Sequence, residues 1–318
     1  MGALSPRAIL EMEPDLIALV DRLLDAIAAK GDVDLIEDFA AAIPIEVIGN
    51  LLGVPEGERE PLRGWSLAIL GALETVISAD AFARGNGAVK EFLGYLEILV
   101  EQRRRKPGNP ERDVLTRLIQ GEHNSEDNGE RLTEKELLHN CIFLLNAGHE
   151  TTTNLIGNGL VTLSAHPTEK KRLIENPAAI KTAVEEILRF ESSNQLGNRM
   201  TTERVELGGV TVAAGTSVTL CIGAANRDDR QFYDPENLDI GRTPNRHLAF
   251  GTGAHQCAGM ALARLEGAMK LGDKGQRLCA EDGGQFGLHR RGQCDALRQG
   301  GGVHAILRVR CGVCLDAR

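Results

Sequence analysis

The sequence predicts a mainly α fold with a small β portion, and three observations support this fold class. Apolar residues recur at helical spacing through most of residues 1–200. Between residues 199 and 222 the period changes to alternation, and Gly208-Gly209 separates two short apolar runs, which predicts a hairpin. A helical pattern then resumes near residue 258.

The first helices are defined by their termini. One begins after Ser5 with a proline at the first helical position, and Gly31 ends it. A second, shorter helix ends at Gly53, because a glycine just past the last apolar residue is typical of a helix C-terminus. Two further patterns predict helices around 57–79 and 87–105.

The longest helix is predicted after a polar segment. Thr133 and Glu136 have the spacing of a capping box, and the apolar pattern continues to Leu163 before His166-Pro167 stops it. A helix of some thirty residues would cross a whole domain. Another helix is predicted over 177–191.

Composition limits the classes of function. The chain has 318 residues, of which 42% are hydrophobic, so it can bury a large core and is not a disordered protein. Its net charge is -9, so we expect no nucleic-acid partner. It contains no apolar run of about 18 residues and no signal sequence, so we expect no membrane association and a cytoplasmic location.

The last 48 residues differ in composition from the rest. Residues 271–318 hold 10 of the 36 glycines and 4 of the 7 cysteines, and their 8 Lys+Arg against 5 Asp+Glu make them net positive. Cys311 and Cys314 form a lone pair that lacks the second pair of a zinc site. We therefore expect residues 1–270 to form the folded domain and residues 271–318 to be a divergent tail, which a shifted reading frame would explain.

A polar run interrupts the longest predicted helix. Residues 148–154 are Gly-His-Glu-Thr-Thr-Thr-Asn, a run of poor helix formers between two apolar stretches. One interpretation is a polar face or a hydrogen-bond network between helices. The other is a proton-delivery site, in which Glu150 and Thr151 serve a ligand bound beside the helix.

A glycine-rich loop leads into the last predicted helix and carries Cys257. Free N–H groups at a helix start favour a thiolate. Three interpretations remain open: a structural cysteine, a nucleophile with His255 as its base, and the single axial thiolate ligand of a haem iron. A further pair, Glu186 and Arg189, lies on one helix face and by itself indicates only an ion pair.

In combination, these motifs resemble the cytochrome P450 superfamily, and most closely its soluble bacterial members. They occur in the order of that family: Ala147 to Thr152 in the long helix, then Glu186-x-x-Arg189, then Phe250-x-x-Gly253-x-His255-x-Cys257-x-Gly259. The resemblance covers about residues 1–270 and implies a cytochrome P450-like fold. It also implies haem b (iron-protoporphyrin IX) as cofactor, with Cys257 as the axial ligand of the iron.

The resemblance also implies roles for other residues. Glu150 and Thr151 match the acid–alcohol pair that delivers protons, and Gly148 matches the small residue that leaves room for oxygen. Arg199 and His255 match the groups that contact the haem propionates, and Phe250 would pack near the sulfur. Further expected cofactor contacts are Ala147, Gly251 and Gly259, and the expected structural ion pairs join Glu186 with Arg189 and Arg242.

The chain departs from the family pattern at both ends. The family fold begins with helices and part of a sheet, and this sequence contains no segment that matches them. At the other end, the resemblance stops after Lys270. We therefore expect a haem domain that is incomplete at both ends and lacks its N-terminal elements.

The function implied is a haem-thiolate monooxygenase that inserts one oxygen atom of O₂ into a small organic substrate. Its electrons would come ultimately from NAD(P)H through a separate ferredoxin-type partner. The alternative is a haem-binding fragment or remnant without turnover. A peroxide-using relative is disfavoured because Glu150 and Thr151 are both present. Since only 3% of the residues are aromatic, we expect an aliphatic lining for the substrate pocket.

Overall fold

The computed structural model describes residues 6–30, 32–74, 77–110, 113–123, 132–271 and 308–310. Within these ranges the fold is mainly α with a small β portion. The helices are α1 Pro6–Lys30, α2 Ala42–Leu52, α3 Glu60–Gly71, α4 Ala79–Arg105, α5 Val114–His123, α6 Glu134–Ala165, α7 Pro167–Glu175, α8 Ile180–Phe190, α9 Ile222–Ala225 and α10 Met260–Leu271. The strands are β1 Asp32–Asp34, β2 Leu196–Met200, β3 Val205–Leu207, β4 Val210–Val212, β5 Ser217–Cys221 and β6 Arg308–Arg310.

Helix α6 is the centre of the fold. It has 32 residues and begins at the predicted capping box, in which Thr133 and Glu136 each satisfy a backbone N–H group of the other. It packs against α2, α3, α4, α8 and α10, among other helices. Buried residues occur on several faces of α6, because the helix is covered by neighbours on several sides. These faces are therefore mostly apolar.

The strands form three two-stranded antiparallel sheets in the described part of the chain. Strands β3 and β4 form the predicted hairpin, and Gly208 and Gly209 adopt the positive φ angles that its tight turn requires. Strand β2 pairs with β5, from Leu196 opposite Cys221 to Met200 opposite Ser217. This second sheet leads directly into the short helix α9 and borders the cavity described below.

Most predicted helices are confirmed, with shifted boundaries. Helix α4 begins at Ala79, eight residues before the predicted start, because Ser78 caps it by accepting a hydrogen bond from the N–H group of Ala81. The helix predicted over 177–191 is a 3₁₀ turn followed by α8. Gly53 has a φ angle of +67° and ends α2 as predicted.

The C-terminal segment is described only in part. Residues 308–310 form β6, which pairs with residues 32–34 of β1. Cys311, Cys314 and most of residues 271–318 lie outside the described residues, so the proposal that this segment is a divergent tail stays a prediction. Among the helices that the structure describes, none is long and apolar enough to cross a membrane.

Candidate active site

A cavity of about 770 Å³ lies between the middle of α6 and the loop that carries Cys257. Helix α2, strands β2 and β5, and the start of α10 complete its wall. The residues of the predicted site that line it are Ala147, Gly148, Thr151, Arg199, Phe250, Gly251, His255, Cys257 and Gly259. The structure therefore brings together two motifs that lie about 100 residues apart in sequence, together with Arg199 from the segment between them.

On the α6 side, the wall is formed by the polar run. The helix continues through this run, and the Thr151 hydroxyl donates a hydrogen bond of 2.7 Å to the carbonyl of Ala147. A Cβ atom at Gly148 would lie 2.5 Å from Cδ1 of Ile48, so glycine allows α2 to approach α6 at this level. Glu150 is half-buried and is not among the residues that line the cavity.

On the opposite side, the loop is shaped by its glycines. Gly251 and Gly253 have φ angles of +64° and +75°, which other residues rarely adopt. The loop is closed by a backbone hydrogen bond of 2.9 Å from the N–H group of Cys257 to the carbonyl of Phe250. This bond fixes the backbone of Cys257 where α10 is about to begin.

The thiol of Cys257 differs from that of a core cysteine. Cys257 is exposed and borders the cavity, and a Cβ atom at Gly259 would lie 4.0 Å from its Sγ atom. Cys141, by contrast, is buried in α6, and burial, together with the charge of Asp113, raises the pKa of its thiol to about 12. Among the described residues, no hydrogen bond joins His255 to Cys257, so the structure shows no base paired with this thiol.

Two side chains with N–H donors, those of Arg199 and His255, lie on the cavity wall. Arg199 extends from β2, and one of its Nη atoms donates to the carbonyl of Asn198 at 2.8 Å. His255 lies in the 3₁₀ turn that precedes Cys257. Both suit a ligand with carboxylates, because guanidinium and imidazole groups donate hydrogen bonds to such groups.

Behind the loop, Glu186 forms a buried cluster with Arg189 and Arg242. Glu186 and Arg189 are fully buried, and the guanidinium of Arg189 donates two hydrogen bonds of 2.8 Å to the two oxygens of Glu186. The Nε atom of Arg242 lies 3.0 Å from Oε2 of the same carboxylate. A surface ion pair is therefore excluded, and the structure places Arg242 at the third position.

The two arginines of this cluster also bind backbone carbonyls of the segment before the loop. Arg189 donates to the carbonyls of Asn226, Pro235 and Asn237 at 2.8–3.2 Å. Arg242 donates to those of Tyr233, Asp234 and Asn237. The backbone of this irregular segment forms few hydrogen bonds with other backbone groups, so the two arginine side chains donate hydrogen bonds to its carbonyls.

One buried residue of the polar run was not recognised from the sequence. His149 faces away from the cavity towards α3, where its Nδ1 atom lies 3.0 Å from the hydroxyl of Ser66. Burial and the positive charge of Arg63 lower the pKa of His149 to about 4, although Glu37 opposes this. His149 is thus neutral near pH 7.

The apolar part of the wall was also missed. Pro44, Val47 and Ile48 of α2 line the cavity, but their spacing is that of any core helix, so nothing in the sequence distinguishes them. The lining is largely aliphatic, as expected, but Phe143 and Phe250 contribute aromatic rings.

Comparison with known proteins identifies a family. Residues 72–272 match the family model described as Cytochrome P450. The Biotin biosynthesis cytochrome P450 of Bacillus subtilis (strain 168) is 39% identical over 277 residues, which cover 87% of this chain and 68% of that protein. The Vitamin D(3) 25-hydroxylase of Pseudonocardia autotrophica is 41% identical over 264 residues, 82% of this chain and 62% of its own length.

Solved structures share the fold. The crystal structure of P450BioI in complex with an acyl carrier protein ligated to hexadec-9Z-enoic acid superimposes with a TM-score of 0.80 at 39% identity. The match covers 87% of this chain and 70% of that one. The chain thus spans about two thirds of the length of the curated relatives it matches.

Substitution of Glu186 by glutamine should be strongly destabilising. It would leave two buried arginines without their anion, and breaking a buried pair costs about 3–5 kcal/mol. Denaturant unfolding of the variant measures this loss. The control is Glu175→Gln, which removes an exposed (i, i+4) pair with Lys171 and should cost less than about 1 kcal/mol. Equal effects of the two substitutions would contradict the structural role of Glu186.

His149 should make stability depend on pH. Its pKa in the folded state lies below the unfolded value of about 6.5, so the unfolded chain takes up the proton first as pH falls. Stability should therefore decrease between about pH 6.5 and pH 4, by about 3 kcal/mol in total. The measurement is the free energy of unfolding across this range for the parent chain and for His149→Asn, which should lack this component.

His139 provides the control for this measurement, because it is exposed on the same helix. The variant His139→Asn should keep the pH dependence of the parent chain. If His149→Asn also keeps it, His149 is not the group responsible.

Proposed function

Because this chain belongs to the cytochrome P450 family, whose members are haem-containing monooxygenases, we propose that it oxidises an apolar small molecule with Cys257 as the ligand of a haem iron. The observation that carries this proposal is that the exposed Cys257, in a glycine-shaped loop, lines the same cavity as Thr151. In support, the loop and the helix border the same cavity, as a ligand and proton-handling groups that serve one reaction must do.

The residues present fit a haem. The cavity is lined mainly by aliphatic side chains, which suits a flat apolar ring, and Arg199 and His255 supply hydrogen-bond donors for its two carboxylates. Cys257 supplies one sulfur ligand, and no cluster of three or more His, Cys, Asp or Glu side chains occurs in the described ranges to form another type of metal site. When bound, the haem would supply oxygen activation, which the thiolate promotes by donating electron density.

The chain's own residues would bind substrate and manage protons. The net reaction converts RH, O₂, two electrons and two protons into ROH and water, so the site needs groups that deliver two protons. We assign proton handling to the Thr151 hydroxyl at the cavity wall, with Glu150 next to it in the half-buried part of α6. Gly148 lines the same cavity about one turn before Thr151, and its missing Cβ atom gives room to the side chain of Ile48.

Substrate and electron donor are proposed at the level of chemical class. The apolar wall from α2, together with Phe143 of the lining, favours an aliphatic or alicyclic substrate. One structural relative is complexed with a fatty acyl group on a carrier protein, and another relative is named as a hydroxylase of vitamin D(3), both of which are largely apolar. A separate ferredoxin-type protein would deliver electrons that come ultimately from NAD(P)H.

We further propose that the haem domain lies within residues 1–270. In support, the family match ends at residue 272 and α10, which follows Cys257, extends to Leu271.

The absorbance spectrum of the reduced protein with carbon monoxide tests the ligand assignment. The parent chain should bind haem and show the strongly red-shifted band of a thiolate-ligated iron, and Cys257→Ser should lose this shift because the sulfur is gone. Cys221→Ser is the control, since Cys221 is also exposed and also lines the cavity. A parent chain without haem would overturn the proposed activity.

Substitution of Thr151 by valine should separate oxygen consumption from product formation. The variant keeps the side-chain shape but removes the hydroxyl, so we expect the product formed per O₂ consumed to fall about tenfold or more. The control is Thr153→Val, because Thr153 makes the same i−4 hydrogen bond, at 2.9 Å to the carbonyl of His149, but does not line the cavity. Oxygen consumption without product in the parent chain would favour the non-catalytic haem-binding protein instead.

A further inference from the structure

A second polar cluster supports the loop, and it is centred on Glu185. This carboxylate is adjacent to Glu186 on α8 but points to a different part of the structure. Its Oε1 atom accepts a hydrogen bond of 2.6 Å from Nε of Arg264, and its Oε2 atom accepts one of 3.0 Å from an Nη atom of the same guanidinium. Glu185 therefore joins α8 to α10 through a bidentate ion pair with Arg264.

The same carboxylate also holds the chain before the loop. The Nε2 atom of His247 lies 3.1 Å from Oε2 of Glu185, and its Nδ1 atom accepts a hydrogen bond of 3.2 Å from the N–H group of Ala249. Since Nδ1 accepts, Nε2 must carry the proton and donate to Glu185. Burial alone would raise the pKa of Glu185, but the hydrogen bonds from His247 and Arg264 outweigh it and lower this pKa to about 2.

Arg264 in turn contacts the loop itself. Its guanidinium carbon lies 4.7 Å from the ring centroid of Phe250, which lines the cavity and whose carbonyl receives the N–H group of Cys257. The hydrogen bonds to Glu185 raise the pKa of Arg264, and a negative charge on Cys257 contributes in the same direction. The positively charged guanidinium of Arg264 is therefore stacked on Phe250, the residue whose carbonyl closes the Cys257 loop.

We propose that Arg264, held by Glu185 on the ring of Phe250, is a positioning residue that favours the reduced state of the iron bound to Cys257. Reduction adds one negative charge at the site, and the guanidinium side of the Arg264–Glu185 pair, which lies on the ring of Phe250 in the Cys257 loop, stabilises that product relative to the oxidised state. Glu185 positions the guanidinium of Arg264 through its two hydrogen bonds. His247, which also binds Glu185, holds the backbone that precedes the loop next to this pair. This inference rests on the proposed function.

The test is the midpoint potential of the haem-loaded chain, with Arg264→Met compared with the parent. Methionine retains apolar contact with Phe250 but removes the charge. The ratio of reduced to oxidised protein at a fixed applied potential should fall about threefold, which is a shift of about 30 mV to a more negative potential for a one-electron couple. The effect is modest because the side chain of Arg264 is 41% exposed and is screened by solvent.

Two further variants separate charge from structure. Arg264→Lys keeps the positive charge but loses the planar guanidinium and its stacking on Phe250. If the charge is what matters, the midpoint potential of this variant should shift by less than half of the shift seen for Arg264→Met. A merely structural role predicts equal shifts for lysine and methionine. The matched control is Arg227→Met, because Arg227 also stacks on a phenylalanine, at 3.8 Å from the Phe190 ring, and is also ion-paired. Arg227 does not contact the Cys257 loop, so its loss should leave the potential unchanged.

The outcomes are distinguishable. A parent chain with the thiolate band and equal potentials for the parent, Arg264→Met and Arg227→Met overturns this inference alone. A parent chain that binds no haem overturns the proposed function and this inference with it. If Arg264→Met does not fold, Arg264→Gln, which also removes the charge but retains an amide donor for Glu185, provides the same comparison.

Discussion

The structure depends on one buried carboxylate, that of Glu186. An anion without exposure to water is tolerated only when charges and hydrogen bonds compensate it, and here the guanidiniums of Arg189 and Arg242 do so. The same two arginines donate hydrogen bonds to backbone carbonyls of the irregular segment that precedes the cysteine loop. A local ion pair on α8 thereby determines the path of the backbone that leads to the cysteine loop, about 70 residues later.

Helix α8 supports the loop with two adjacent carboxylates that act in different directions. Glu186 holds the segment before the loop from within the core, and Glu185 holds His247 before the loop and Arg264 after it. Successive residues on a helix are about 100° apart, so neighbouring side chains can serve separate clusters. The position of Cys257 is therefore determined from both sides of its loop, while α6 forms the opposite wall of the cavity.

The polar run of α6 contains residues in two different environments that its sequence does not separate. Thr151 faces the cavity, where a hydroxyl can handle protons, whereas His149 packs against Ser66 of α3 and is part of a hydrogen bond between helices. The interpretation as a hydrogen bond between helices therefore applies to His149, and the proton-delivery proposal concerns Thr151, which lines the cavity. Helical geometry explains why, since residues 149 and 151 project about 200° apart around the helix axis.

The sequence by itself determined the helical fold class, the hairpin, the capping box of α6, and the set of motifs whose order identifies the family. These features depend on local spacing or on residue types that few other sites need, such as the glycines around Cys257. Only the tertiary structure decided which surfaces meet: the burial of Glu186 with Arg242, the aliphatic wall from α2, the position of Glu150 away from the cavity wall, and the Glu185 cluster. The physical reason is that burial and long-range pairing depend on how helices pack, and a Glu, an Arg or an Ile has the same local pattern whether it faces the core, a cofactor cavity or water.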